Sequence, residues 1–436
     1  MNRSFRSKEI AVVCNSTMSL NHGMASEHLA LHSLATRNGY TNLRYYELLS
    51  RDEHMAALTK SSPPSVDARA IAKLDREFSE RIPIAYERLL GSLDKVIRSD
   101  AIIFWCSWLH SPLFYDYNKH LLLQLSLASS ERQAADIIDS HIYLMGQPDE
   151  VLTKSLSFGQ NFLFNSRWHE NRSDYGAAYK SFYTRVRRAR MRDVLSSRRI
   201  SRLRSDPLDS NTFVDCATLL KQQDVDKLCR LSTHDEIAFC RHKIGVFFGR
   251  SDVAADSVRY ISEFFSESLG APVFSLPWGF SYSFPQTKAL PFPCPVPKGR
   301  SFSTVGDSLS MIREARAIIS DTYHVCVNAW TMGVPAICIG GDFSKRELDM
   351  NSGFRFLNFD KRHLLYALIY ALDFYVHEEE LHDLQFLKAH LEHIVKLIDT
   401  PGYVRSITDD LLKEASEAEA QFVRALDEIL LGNQDA

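Results

Sequence analysis

The chain has 436 residues, 45% hydrophobic and 24% charged, a length beyond what one core usually serves, so two domains of ordinary size are expected. Its 51 Lys and Arg against 54 Asp and Glu leave a formal charge of -3. That balance excludes a global attraction to nucleic acid and makes any affinity for anions local.

The apolar runs Ile10 to Cys14 and Ala101 to Leu109 are too short for a signal-peptide core or a membrane span, so a cytosolic protein is expected. Eight cysteines (Cys14, Cys106, Cys216, Cys229, Cys240, Cys294, Cys326, Cys338) are scattered with no C-x-x-C pair. They read as reduced core residues, without a zinc site or disulfide frame, and no metal is called for.

Glu9 to Cys14 reads as a strand, followed by the loop Leu20-Asn21-His22-Gly23 and a helix from Ala25 to Thr36 that Asn38-Gly39 closes. Leu43 to Glu47 is a second strand. Helical patterns fill Val66 to Ile97, and Ala101 to Cys106 is a β-rich run ending in Ser107-Trp108-Leu109-His110. Leu121 to Ala128 and Ile137 to Met145 add further elements. Lys154 to Ser181 is aromatic and polar without a clean period and reads as a mobile segment near the site. Alternating strands and helices imply a parallel sheet covered on both faces.

Arg185 to Arg204 holds nine arginines. One reading is a solvated helix face offset by Asp206, Asp209 and Asp215. The other is an anion-facing surface for nucleotide, phosphate or membrane, which would make peripheral contact with the inner face of a membrane.

A domain change is expected over Leu220 to His242. Lys243 to Phe248 is then a strand ending at Gly249-Arg250-Ser251-Asp252, with a helix from Ser257 to Leu269, which repeats the opening logic. The fold class is therefore α/β, with two Rossmann-like domains facing across a cleft, over residues 1–225 and 240–400, and a C-terminal helix over 401–436. Pro272 to Leu276 is a short strand, Phe284 to Lys298 a proline-rich connection beside the cleft, and Ser308 to Ala315 is an amphipathic stretch that leads into the segment from Ala317. Leu364 to Val376 and Leu381 to Ile398 read as helices, and Ile407 to Leu431 as a last charged helix that packs back across the domains.

Ala317 to Gly341 concentrates the chemistry. A β-branched strand ends in Ser320-Asp321-Thr322, a cluster suited to capping a helix. His324 falls in the first turn, Asn328 lies on the same face, Gly333 stops the helix and Val334 to Ile339 is the next strand. Strand ends and unpaired N–H groups converge at such a turn, where open parallel sheets bind ligands. A histidine there is either a satisfied polar group or a general acid and base. There is no phosphate-binding P-loop, H-E-x-x-H, G-x-S-x-G or glycine fingerprint after the first strand, which argues against P-loop phosphoryl transfer, zinc hydrolysis and nicotinamide chemistry.

Four segments together resemble the polysaccharide pyruvyl transferase family, whose fold is like that of GT-B glycosyltransferases. Asn21-His22-Gly23 resembles its N-x-G-D loop, with Met24 where an acid is usual. Arg192-Asp193 with Ser196 resembles R-D-x-x-S, and Asp215 to Leu220 resembles D-P-A-x-L-L. Ala315 to His324 resembles A-R-x-v-i-S-D-R-L-H, and Gly333 to Ile337 with Lys345 resembles G-x-P-x-I and its trailing lysine. Thr322 stands where the family has an arginine.

The resemblance implies a transferase of glycan biosynthesis with no bound cofactor. Its donor would be small and anionic, phosphoenolpyruvate or alternatively a nucleotide sugar, and its acceptor a sugar or glycan; a non-catalytic glycan-binding relative is a third reading. It implies His324 as a catalytic residue; with Thr322 in the arginine's place, Arg250, just after a second-domain strand, is taken as the catalytic positive charge, with Arg316 as the alternative. Ser320, Asp321, Thr322, Tyr323, Asn328 and Lys345 would hold the donor. Asn21, His22, Gly23 and His110 would line the acceptor side in the first domain.

Overall fold

The computed structural model describes residues 3–15, 21–61, 73, 76, 82–163, 165–208, 212–227, 234–249, 253–279, 290, 294–297, 303–341, 343–348 and 355–432. For 3, 4, 58, 59, 61, 343–348 and 355–359 it describes the backbone alone.

The first sheet is built from β1 (Ile10–Cys14), β2 (Leu43–Glu47), β3 (Tyr86–Arg88), β4 (Ala101–Trp105), β5 (Ser155–Gln160) and β6 (Arg188–Met191). Its order is β3-β2-β1-β4-β5-β6, with every pairing parallel. The central strands β1 and β4 are buried along their whole length and read as unbroken apolar runs, whereas edge strand β6 alternates, as expected when helices cover both faces. The chain reverses direction across the sheet between β1 and β4. A dinucleotide-type sheet opens its ligand crevice at that point, past the strands' carboxyl ends.

The second sheet contains β7 (Ile244–Phe247), β8 (Val273–Ser275), β9 (Ala317–Ser320) and β10 (Ala336–Gly340), followed after a hairpin β11 (Phe343–Leu348) and β12 (Arg355–Phe359) by β13 (Tyr375–His377). Its order is β13-β10-β9-β7-β8, again all parallel. The switch point lies between β7 and β9. Two Rossmann-like domains thus face each other, as the alternation of elements implied.

Five helices position the site: α1 (His22–Arg37), α2 (Val194–Arg204), α3 (Tyr323–Thr331), α4 (Lys361–Leu368) and α5 (Tyr403–Leu431). Helix α5 returns to the first domain. Phe422 packs edge-on against Trp105 and Phe158 with centroids 5.4 and 5.1 Å apart, and Arg37 pairs with Glu419 at 2.8 Å and Asp224 at 2.9 Å. One hydrophobic cluster runs from Val12, Ile103 and Trp105 through Ala217 and Leu219 to Ile318, Ile337 and Phe422. The two sheets therefore share a continuous core, and the cleft between them is held by packing.

Several expectations change. Val66 to Ile97 is not helical throughout: β3 and a helix over Leu93–Arg98 occupy its described end, because the half-buried Tyr86–Arg88 completes the sheet edge beside β2. Lys154 to Ser181 is not a loose segment. It supplies β5, fully buried beside β4, and most of a helix over Tyr175–Arg185 whose tyrosines fill the core. Leu364 to Val376 is not one helix, since Tyr375–His377 pairs with β10 as the sheet's edge. Ser16, Thr17, Leu20, Arg250, Ser251, Asp252, Asp209 and most of Phe284 to Lys298 lie outside the described residues.

The arginine-rich stretch divides. Asp149, Glu428, Asp215, Glu170 and Asp206 take Arg185, Arg188, Arg192, Arg199 and Arg204 as ion-pair partners. Arg198 and Arg202, one turn apart on α2, remain exposed. Most of the basic charge is thus neutralised within the fold. No described helix is long and apolar enough to cross a membrane.

Candidate functional site

The two switch points meet at a buried pair. Glu27 sits in the second turn of α1 with no exposure, His324 in the first turn of α3 with 6%, and His324 Nε2 lies 3.1 Å from Glu27 Oε1. The carboxylate also accepts the Ser107 backbone N–H at 3.2 Å and the Ser107 hydroxyl. Ser107 is aimed by a local distortion at the end of β4, where Cys106 has φ 93°. A non-glycine residue there stores about 1–3 kcal/mol and persists only when its surroundings demand it.

Burial works to raise the Glu27 pKa, but the bonds from His324 and Ser107 and the charge of Arg192 outweigh it and hold the group down near about 2. Glu27 is therefore a carboxylate at neutral pH. An ionised carboxylate only accepts, so His324 Nε2 carries the hydrogen of this bond.

Gly23 packs directly against the His324 ring: a Cβ there would lie 2.5 Å from Nδ1, so the close approach of α1 to His324 requires glycine. Asn21 caps α1 through Met24 N at 3.4 Å, and Glu27 lies one turn beyond Met24 on the same face.

Beside this pair, Arg192 and Asp215 form a second buried ion pair at 3.1 Å, with side chains 2% and 3% exposed. Asp193 caps α2 through Ser196 N at 2.8 Å and Asp215 caps the turn Cys216–Leu219 through Ala217 N at 2.9 Å. The Arg192 guanidinium lies 4.8 Å from the Tyr323 ring centroid, and Lys361 Nζ stands 5.2 Å from the same ring and 4.8 Å from Trp108. Burial opposes the charge on Arg192, yet Tyr323 and the carboxylates of Asp215 and Glu27 raise its pKa.

Donor atoms of Glu27, Asp215 and His324 lie within 4.8 Å of one another. They are the residues that could hold a divalent ion. Each carboxylate already has a partner, Ser107 and His324 for Glu27 and Arg192 for Asp215, and Arg192 supplies the positive charge an ion would otherwise bring.

On the second-domain side, Asp321 Oδ1 accepts Gly249 N at 2.9 Å and the Thr322 hydroxyl at 3.0 Å, while Ser320 donates to Phe247 O at 2.7 Å and accepts Thr322 N at 3.0 Å. These side chains tie the ends of β7 and β9 together. Thr322 is the N-cap of α3 but makes no side-chain cap, which leaves the helix's first N–H groups for a ligand. Asn328 is at the domain interface, donating to His324 O at 2.6 Å and Ser26 Oγ at 3.3 Å.

Two expected histidines are engaged elsewhere. His22 Nδ1 accepts Gly279 N at 3.0 Å and meets Ser308 Oγ at 3.1 Å, locking α1 to the second domain; burial lowers its pKa to about 3. His110 is fully buried in the first-domain core, with Nδ1 2.6 Å from the Tyr183 hydroxyl and Nε2 3.1 Å from Ile142 O. Neither pairs with His324. Arg316 precedes β9, at its amino end, and bonds Leu269 O at 2.7 Å and Asp399 at 3.0 Å, so it does not supply the cleft's positive charge. Arg250 lies outside the described residues, and Lys345 is described by its β11 backbone alone.

Sequence reasoning missed Glu27, Ser107 and Lys361 as site residues, and took Arg192 and Asp215 only as family motifs. Glu27 sits inside a helical pattern, Ser107 in a loop and Lys361 far downstream. The one available signal was the missing acid at Met24, a turn before Glu27.

No protein-family model matches the chain, and no curated protein sequence does. Among solved structures, the UDP-GlcNAc 2-epimerase from Neisseria meningitidis bound to UDP-GlcNAc aligns over 96% of this chain and 99% of its own, with TM-score 0.49 and 11% identity. UDP-N-acetylglucosamine 2-epimerase from Rickettsia bellii aligns over 97% of each chain, with TM-score 0.45 and 10% identity. Arabidopsis thaliana UGT89C1 complexed with quercetin aligns over 94% and 99%, with TM-score 0.36 and 11% identity.

Proposed function

We propose that the chain is a GT-B-type glycosyltransferase that uses a nucleotide-sugar donor, with His324 as general base. The observation that carries this reading is the Glu27–His324 pair at the meeting of the two switch points. Glu27 orients the ring through Nε2, and an acceptor hydroxyl that reaches Nδ1 gives its proton to that nitrogen as its oxygen attacks the donor's anomeric carbon. The bond to the leaving diphosphate breaks, and the uncapped N-terminus of α3 with Lys361 stabilises its charge. The diagnostic experiment incubates the protein with a panel of nucleotide sugars and measures nucleoside diphosphate release. Release that is lost in His324→Ala supports the reading, and no release from any donor overturns it.

A second reading, pyruvyl transfer from phosphoenolpyruvate, is favoured by one observation. Arg192, Asp215 and His324, drawn from separate motifs that resemble that family, converge at one cleft. There the acceptor oxygens would attack the enol carbon, with release of inorganic phosphate. Phosphate release from phosphoenolpyruvate, strengthened in Thr322→Arg, would favour this second reading.

A further inference from the structure

A cavity of about 380 Å³ opens beside the buried pair, between the first domain, α4 and α5, a size that suits a small ligand. Its composition is divided. Arg192, Asp215 and Tyr323 form the polar end next to the buried pair, Phe213, Leu364, Leu368 and Leu411 are among the apolar residues of the lining, and Lys361, Glu414, Glu417 and Gln421 add polar side chains to it. Asp215 also belongs to the group whose donor atoms lie within 4.8 Å of Glu27 and His324, so the polar end adjoins the site already described.

Two observations give the cavity a ligand. Arg192 is 5% exposed, and its Nη2 has no hydrogen-bond partner among the described residues. A buried guanidinium N–H without an acceptor is costly, and an oxygen of a bound molecule satisfies it. Because Arg192 is already paired with Asp215, that oxygen need carry no charge. At the opposite extreme, Leu208 and Leu368 line the same cavity and are 37% and 38% exposed. Leucines left in water beside an apolar cavity gain by covering hydrocarbon.

We infer that this cavity binds the apolar body of the acceptor: a neutral molecule with a ring or short-chain hydrocarbon portion and a hydroxylated end that meets Arg192 and Asp215. This departs from a polymeric glycan acceptor. As an acceptor site it rests on the glycosyltransferase reading; as a binding site it stands by itself.

The test measures calorimetric binding of methyl, hexyl and octyl β-glucoside, each below its critical micelle concentration. Affinity rises with chain length, by up to about fourfold per methylene buried. In Leu368→Asp the dependence on chain length disappears, while the melting temperature and the affinity for methyl β-glucoside remain near wild type. Leu208→Asp, at the other exposed leucine of the lining, repeats the test if Leu368→Asp does not fold. Equal affinity for all three glucosides overturns the inference, as does a chain-length dependence that survives both substitutions. Chain-length dependence without turnover of any nucleotide sugar overturns the catalytic reading and leaves the cavity assignment in place.

Discussion

His110 and His324 each follow a central strand by a few residues, one after β4 and the other after β9, yet their surroundings are opposite. His110 is enclosed by Phe104, Tyr143 and Phe182 and bonds only within its own domain. Burial holds it neutral, with its pKa lowered to about 3. His324 bonds across the domain interface to a carboxylate and packs against Gly23 at its other nitrogen. The position after a strand places a residue near the ligand-binding end of a sheet. What separates the two histidines is a charged partner drawn from the other domain.

The largest test breaks that contrast directly. His324→Ala lowers kcat by roughly 10²–10⁴-fold with the fold retained, whereas His110→Gln lowers the melting temperature and leaves kcat near wild type. Equal losses of activity in the two variants would remove the distinction.

Glu27→Gln comes next. It keeps the volume but removes the charge that fixes the tautomer, so kcat falls by a similar factor, and the double variant with His324→Ala loses little more, since the two residues act as a unit. A fully additive loss would show that they act separately.

Gly23→Ala sharpens the comparison by forcing a methyl to within 2.5 Å of Nδ1. Displacing His324 by about 1 Å costs on the order of 10²-fold in rate, while overpacking lowers stability in urea titrations by about 1–3 kcal/mol with the circular dichroism spectrum retained.

Arg192→Met probes the neighbouring pair through stability. It leaves Asp215 buried without its cation and should destabilise the fold by about 3–5 kcal/mol in urea titrations; an unchanged midpoint would mean that the pair is better solvated than its burial indicates.

The smallest effect is on pH dependence. His22 and His110, at about 3, and His28 and His54, at about 4, are all lowered chiefly by burial. The unfolded chain binds protons on these rings from about pH 6.5 downward, whereas the native state does not. Their contribution is therefore fully present above that pH and is lost as pH falls toward their folded values. His22→Gln and His110→Gln should each flatten the fall in urea midpoint between pH 6.5 and 4.

The same contrast explains what could be read from the chain. The β9–α3–β10 unit was legible because its strands are continuous apolar runs and its turn carries cap-forming residues, so His324 stood out. The two-sheet architecture followed from the strand–helix alternation, and the return of α5 from its length and periodicity. Glu27 was hidden because a single carboxylate inside a helix looks like any solvated position until the second domain closes over it. Arg192 and Asp215 lie 23 residues apart, and their pairing depends on how β6 and the Cys216–Leu219 turn meet in space. Lys154 to Ser181 misled because its tyrosines and phenylalanines pack through hydroxyl bonds and ring edges, which blur the polar–apolar period. His110 misled because the polar partners that satisfy it, Tyr183 and Ile142 O, come from distant segments.

The account turns on which nitrogen of His324 carries the hydrogen at neutral pH. Nitrogen NMR of isotope-labelled histidine, with the His324 signal assigned by its loss in His324→Ala, reads this without any substrate. The account predicts a protonated Nε2 and an unprotonated Nδ1, with that preference weakened in Glu27→Gln. A signal protonated at Nδ1, or one indifferent to Glu27→Gln, would contradict it.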